Sequence, residues 1–167
     1  TLLFAALPLR SAGADPRGPA VEVEGGWAFA RAPAGGAGGG ASAALRASFG
    51  LSRALDLAAI GSYSRHESPA IEAQPATKFA IGAVGAEVVY GLDDLPVRPS
   101  LGFGPGLMLR REEEIDSEVV LRLSLGLAWD AALPLVVGGG FTYLYFPDQF
   151  PRSAYMALGL RVGLRFD

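Results

Sequence analysis

Between Tyr155 and Phe166 the apolar residues fall at every second position. Met156, Leu158, Leu160, Val162, Leu164 and Phe166 share one parity; Ala157, Gly159, Arg161, Gly163 and Arg165 share the other. A period of two is the period of a β-strand, whose successive side chains point to opposite faces. One face is then a continuous apolar wall and the other is small or cationic. A soluble sheet sets its apolar face against a solvated face rich in charge, whereas Gly and Arg suit a cramped, wet interior. A lipid-facing wall around a polar lumen is the pattern of a transmembrane β-barrel strand. The same alternation also fits a soluble sandwich or barrel with the two faces exchanged, because parity alone does not say which face is inside.

The alternation recurs along the chain, broken by turn chemistry. It predicts strands over residues 21–31, 41–51, 54–65, 77–91, 97–111, 119–130, 135–146 and 155–167. The glycine-rich stretch 32–40 reads as a loose surface loop, and residues 66–76, through His66, Glu67 and Pro69, as a polar one. Pro105 interrupts the fifth strand and has no N–H for the ladder, so a bulge or a local break is expected there. In the fourth strand Glu87 sets the phase, which places Val84, Val88 and Tyr90 outward and turns Phe79 and Ile81 inward.

Composition agrees with interleaved hydrophobicity. Half of the 167 residues are hydrophobic and only 19% are charged, against about a quarter charged in ordinary soluble domains. Yet no apolar run after the N-terminus approaches the ~18 residues of a membrane-spanning helix. The 167 residues suit one domain. The formal charge of -3 gives no reason to expect nucleic acid, and the absence of cysteine removes disulfides and thiolate metal sites. Residues 1–14 read as the tail of a secretory signal peptide, with Ala12 and Ala14 in small-x-small spacing before Asp15-Pro16. They are expected to be absent from the mature protein, which leaves 15–167 as the barrel domain.

Eight strands is an even count at the lower limit of closed bacterial membrane barrels. The connections after strands two, four and six read as short, and those after one, three, five and seven as longer. Aromatics gather near strand ends: Phe49, Tyr90, Trp129 and Phe166 at one end, Tyr63, Tyr143, Tyr145 and Tyr155 at the other, as in interfacial girdles. On this pattern, and not on a residue motif, residues 21–167 resemble the small eight-stranded outer-membrane barrels of the OmpA/OmpX type. The resemblance implies an all-β, eight-stranded antiparallel up-and-down transmembrane β-barrel in the bacterial outer membrane. It would be a monomer surrounded by outer-membrane lipids, with an unidentified ligand met by its outer loops. Members of this group commonly end on an aromatic residue read by the barrel-assembly machinery. Phe166 would supply that signal here, although Asp167 follows it. Nothing in the chain resembles the peptidoglycan-binding domain that follows the barrel in OmpA.

The inward parity collects Glu22, Glu24, Asp56, Glu87 and Asp130 with Arg46, Arg110, Arg122, Arg161 and Arg165. An eight-stranded barrel is just wide enough for side chains to fill it, and buried charges must be paired. An Arg–carboxylate network plugging the lumen is therefore expected; a narrow ion path gated by the same network is the sharper alternative. Catalysis has weaker support. His66 and Ser68 have a spacing similar to that of the lipid A 3-O-deacylase barrels, and Glu72 could orient the histidine. However, Pro69 stands where that family has Asn. Asp116-Ser117 with His66 is faintly similar to the lipid A palmitoyltransferase barrels. The expectation is that these are solvated loop residues, that the chain is not an enzyme, and that it needs no cofactor or metal; residues 112–116 read as an acidic solvated loop. A soluble secreted β-barrel carrying a ligand remains the competing reading.

Overall fold

The computed structural model describes residues 17–31, 37–69, 76–92, 95, 97–111, 115–132, 134–147 and 155–166, the side chains of 130–132 excepted. Residues 1–14, read above as a signal-peptide tail, Glu72 and residues 112–114 lie outside these. The strands are β1 (Ala20–Arg31), β2 (Ala37–Gly50), β3 (Leu55–Ser68), β4 (Thr77–Gly91), β5 (Arg98–Arg111), β6 (Ile115–Ala132), β7 (Leu135–Tyr145) and β8 (Tyr155–Arg165). Each pairs antiparallel with the next, and β1 pairs with β8 from Ala20↔Arg165 to Ala30↔Tyr155, which closes the barrel. Closure removes every sheet edge, as hydrocarbon requires, because no water is present there to satisfy free N–H and C=O groups. The shortest strands, β7 and β8, have 11 residues. That is enough, since roughly 9–11 tilted residues cross a bilayer core.

The Leu-rich parity faces outward. Leu125 is 55% exposed and Leu160 78%, while Arg122 on the other parity is 3% exposed. Val23, Leu45, Val84, Leu101 and Phe103 continue the apolar wall on the other strands. A soluble protein rarely shows water an apolar patch beyond a few hundred Å²; an apolar exterior on every strand is a lipid-facing surface. The soluble carrier, with leucine inside, is thereby excluded.

Three strands run further than alternation suggested. β2 begins at Ala37, so Gly38, Gly39 and Gly40 are strand and not loop. The reason is close approach: a Cβ on Gly40 would collide with the Arg65 carbonyl on β3. β3 runs to Ser68 and takes in His66, and β6 begins at Ile115, where it pairs with Arg111. Connection lengths therefore sort less cleanly than expected: only residues 112–114 join β5 to β6. Opposite Pro105 the β4–β5 ladder lapses between Gly85↔Gly106 and Val88↔Phe103 without a change of register. The irregularity in register lies instead at Asp130/Ala132 in β6. One end of the barrel carries the chain ends and the connections at 51–54 and 92–97; it is called the turn end. The opposite end is the loop end.

The outward aromatics include Trp27, Phe29 and Tyr63 towards the loop end and Phe49, Trp129 and Phe166 towards the turn end. Tyr155 departs from the expected girdle: it is 3% exposed and faces the lumen, because it carries the inward parity of β8.

Candidate functional site

The inward-facing side chains group into two layers. Nearer the turn end is a chain of alternating charge. Glu87 on β4 is almost fully buried, and its carboxylate accepts from Arg122 Nε at 3.2 Å, Arg46 Nη1 at 3.4 Å and Ser124 Oγ at 2.8 Å. Arg46 also lies 3.8 Å from Glu22, and Glu22 lies 3.5 Å from Arg161. Arg161 reaches Glu24 at 3.9 Å and donates to the Gly139 carbonyl at 3.1 Å. Six charged groups from β1, β2, β4, β6 and β8 are thus joined across the barrel. The antiparallel closure explains the β1–β8 part directly, since Glu24 stands opposite Arg161.

Glycine on the inward parity provides the room. A Cβ on Gly102 would stand 2.7 Å from Glu87 Oε2, and one on Gly126 or Gly140 would meet the Arg161 guanidinium. The small residues and the arginines are two halves of one packing solution. Between the charged arms a cavity of about 30 Å³ remains, lined by Glu22, Glu24, Arg46, Arg122, Tyr155 and Arg161 among others. That is room for roughly one water molecule.

The other expected lumen residues are placed differently. Asp56 joins Arg98 at 3.0 Å, near the turn end. Arg98 was missed from sequence although it lies on the inward parity of the expected strand 97–111. Arg110 lies in the loop-end layer, its guanidinium 6.0 Å from the Phe79 ring centre. Arg165 stands opposite Ala20 at the turn end. Asp130 pairs with Val136 through the backbone, and its side chain lies outside the described ones. Phe166 is half exposed just after β8, and its N–H donates to the Pro19 carbonyl at 2.8 Å.

The loop-end layer is apolar. Ala28, Ala30, Phe79, Ile81, Ala83, Met108, Val120, Leu144, Phe146, Tyr155 and Ala157 form one buried cluster. His66 is set into it, stacked on Phe79 at 4.9 Å with the rings 11° apart. One His66 nitrogen lies 2.8 Å from Ser64 Oγ and the other 3.3 Å from the Gly38 carbonyl. The Tyr155 hydroxyl donates to Ser64 Oγ at 3.4 Å. The expectation of solvated loop residues is therefore corrected: His66 is 3% and Ser68 4% exposed, because β3 continues past them with both on the inward parity. The histidine meets Ser64, not Ser68. Ser117 is exposed on the outward parity of β6 and faces away from His66. Among the described residues no group of three or more His, Asp or Glu is arranged to hold a metal ion.

No protein-family model and no curated protein sequence matches the chain. Solved structures do. Neisserial surface protein A superposes with a TM-score of 0.73 at 20% identity, covering 91% of this chain and 99% of that one. Ail, the attachment invasion locus protein of Yersinia pestis, gives 0.56 at 17% identity, covering 89% and 99%. The N-terminal β-barrel domain of Pseudomonas aeruginosa OprF gives 0.56 at 14% identity, covering 91% and 100%. The fold is that of the small eight-stranded outer-membrane barrels.

Proposed function

We propose that this chain is an outer-membrane barrel with a structural or surface-interaction role, whose lumen is a plug and not a conduit. The loop end then faces the exterior and the turn end the periplasm, as in barrels of this kind. The observation that carries the reading is the chain of paired charges around a cavity of about 30 Å³, beneath an apolar cluster. An ion would have to break paired charges in the first layer and shed its hydration in the second. Barrel residues 15–167 would follow a cleaved leader at 1–14, and Phe166 would present the aromatic signal to the assembly machinery. The barrel would act as a monomer, with its ligand met by the outer loops.

Among the described residues, the Ser64–His66 contact is the arrangement that favours catalysis, since a serine nucleophile needs an adjacent base. Ser64 is fully buried within the barrel wall and the apolar layer, which keeps substrate from its hydroxyl. We therefore assign the pair to packing of the loop-end layer and not to acyl transfer.

Planar-bilayer recording tests the plug. The purified barrel is expected to insert without steady unitary conductance, and a reproducible open level in the wild type would overturn the plugged-lumen reading.

A further inference from the structure

The barrel exterior is not uniform. Among the described strand residues, the charges on the outward parity are Arg31, Arg65, Glu67, Lys78 and Arg111, all at the loop end. Three of the four cations surround one recess of about 610 Å³, which Trp27, Tyr63, Arg65, Glu67, Lys78 and Arg111 help to line. The registers Arg65↔Ala80 and Ala80↔Arg111 put the two arginines in one row on either side of β4. Their backbones stand roughly 10 Å apart, two inter-strand spacings. Lys78 stands opposite Glu67, one outward position nearer the loop end. The Arg65 Nε–H donates to the Tyr63 hydroxyl at 3.1 Å, which fixes the guanidinium beside the recess.

Tyr63 also borders a second recess on the same wall, towards the middle of the barrel. It has a volume of about 480 Å³ and an almost wholly apolar lining that includes Leu45, Tyr63, Val84, Leu107 and Leu109. Its floor is low because Gly61 and Gly82 carry no side chain and face open space. An apolar hollow within the lipid belt therefore continues into a cationic hollow at the level of the headgroups.

We propose that these two recesses form one binding site for an acylated, phosphate-bearing lipid of the outer leaflet. One acyl chain fills the apolar hollow and a headgroup phosphate lies against Arg65, Lys78 and Arg111. Three cations against the single carboxylate of Glu67 select for an anionic headgroup, and phosphate accepts several charge-assisted hydrogen bonds at once. The assignment to the outer leaflet rests on the orientation proposed above; the chemistry of the site does not.

The test uses the whole barrel in detergent micelles, with lipid retention measured by native mass spectrometry. The probes are a bisphosphorylated, acylated glucosamine disaccharide and its dephosphorylated counterpart with the same chains. The wild type is expected to retain the phosphorylated probe about tenfold better, the worth of roughly one charge-assisted contact. Substituting Arg65→Gln, Lys78→Gln and Arg111→Gln together should abolish that preference, and Arg31→Gln, outside the recess, should leave it intact. Gly61→Leu with Gly82→Leu should lower retention of both probes alike by filling the apolar hollow. Equal retention of the two probes by the wild type, or a preference that survives the triple substitution, would overturn the proposal. A barrel found in the inner-membrane fraction of cells would overturn the outer-membrane reading, while the preference measured in micelles would still stand or fall by itself.

Discussion

Glu87→Ala is expected to destabilise the barrel by roughly 3–5 kcal/mol, the usual cost of removing one partner from a buried ion pair. Its side chain is fully enclosed, and it anchors Arg122, Arg46 and Ser124 together. Without it the Arg122 guanidinium, itself 4% exposed, stays in the lumen without that carboxylate. Arg161→Ala should cost less, because its nearer partner Glu22 keeps Arg46 and its other partner Glu24 is 22% exposed, so that water relieves part of the loss. Arg31→Ala, at the exposed end of β1, should change stability by no more than about 0.5 kcal/mol. Urea midpoints in detergent, followed by the fluorescence of Trp27 and Trp129, give the order. Equal midpoints for Glu87→Ala and Arg31→Ala would mean that the network does not hold the barrel together.

Gly104→Val is expected to cost about 3 kcal/mol, the upper part of the usual range for overpacking. A Cβ at Gly104 would collide with the Ala86 carbonyl, which is backbone and cannot rotate away. The site adjoins Pro105, in the lapse of the β4–β5 ladder, but Gly85↔Gly106 and Val88↔Phe103 pair on either side and hold the two strands close. Gly25→Val is the matched control: nothing lies within 4 Å of a Cβ there, and its effect should stay within about 0.5 kcal/mol. Heat-modifiable gel mobility reports the folded fraction of each variant. A fully folded Gly104→Val at the wild-type midpoint would contradict the close approach of β4 to β5.

The strands and their orientation were legible because alternation is a local signal. β6, from Val119 to Trp129, reads without interruption, and the structure turns its leucines outward as expected. Ends were less legible, because register is a property of pairs. Nothing in the run from Gly38 to Gly40 shows that Gly40 will lie against Arg65, or that β3 will continue through His66. Those two extensions moved His66 from a loop into the lumen. The charge chain could be listed by parity, but its connectivity could not. That Glu87 on β4 meets Arg46 on β2 and Arg122 on β6 depends on how strands two apart are staggered across the barrel, and adjacent-strand patterns do not carry that information. The apolar loop-end layer was foreshadowed only by Phe79 and Ile81, whose inward phase was imposed by Glu87. Met108, Val120 and Leu144 share that parity and complete the layer, although each alone reads as an ordinary apolar residue.

The central claim is that the apolar parity meets lipid and the charged parity closes a lumen. The absence of native cysteine makes single-cysteine spin labelling the most direct measurement. Labels at Leu125, Leu158 and Leu160 report the exterior, and labels at Ser42, Ser62 and Ser124, where cysteine is nearly isosteric, report the interior. With the barrel in bilayers, the exterior set should collide readily with oxygen and poorly with a polar nickel chelate. The interior set should be immobilised and shielded from both. High oxygen accessibility at Ser42, Ser62 and Ser124, with Leu125, Leu158 and Leu160 immobilised and shielded, would contradict the account.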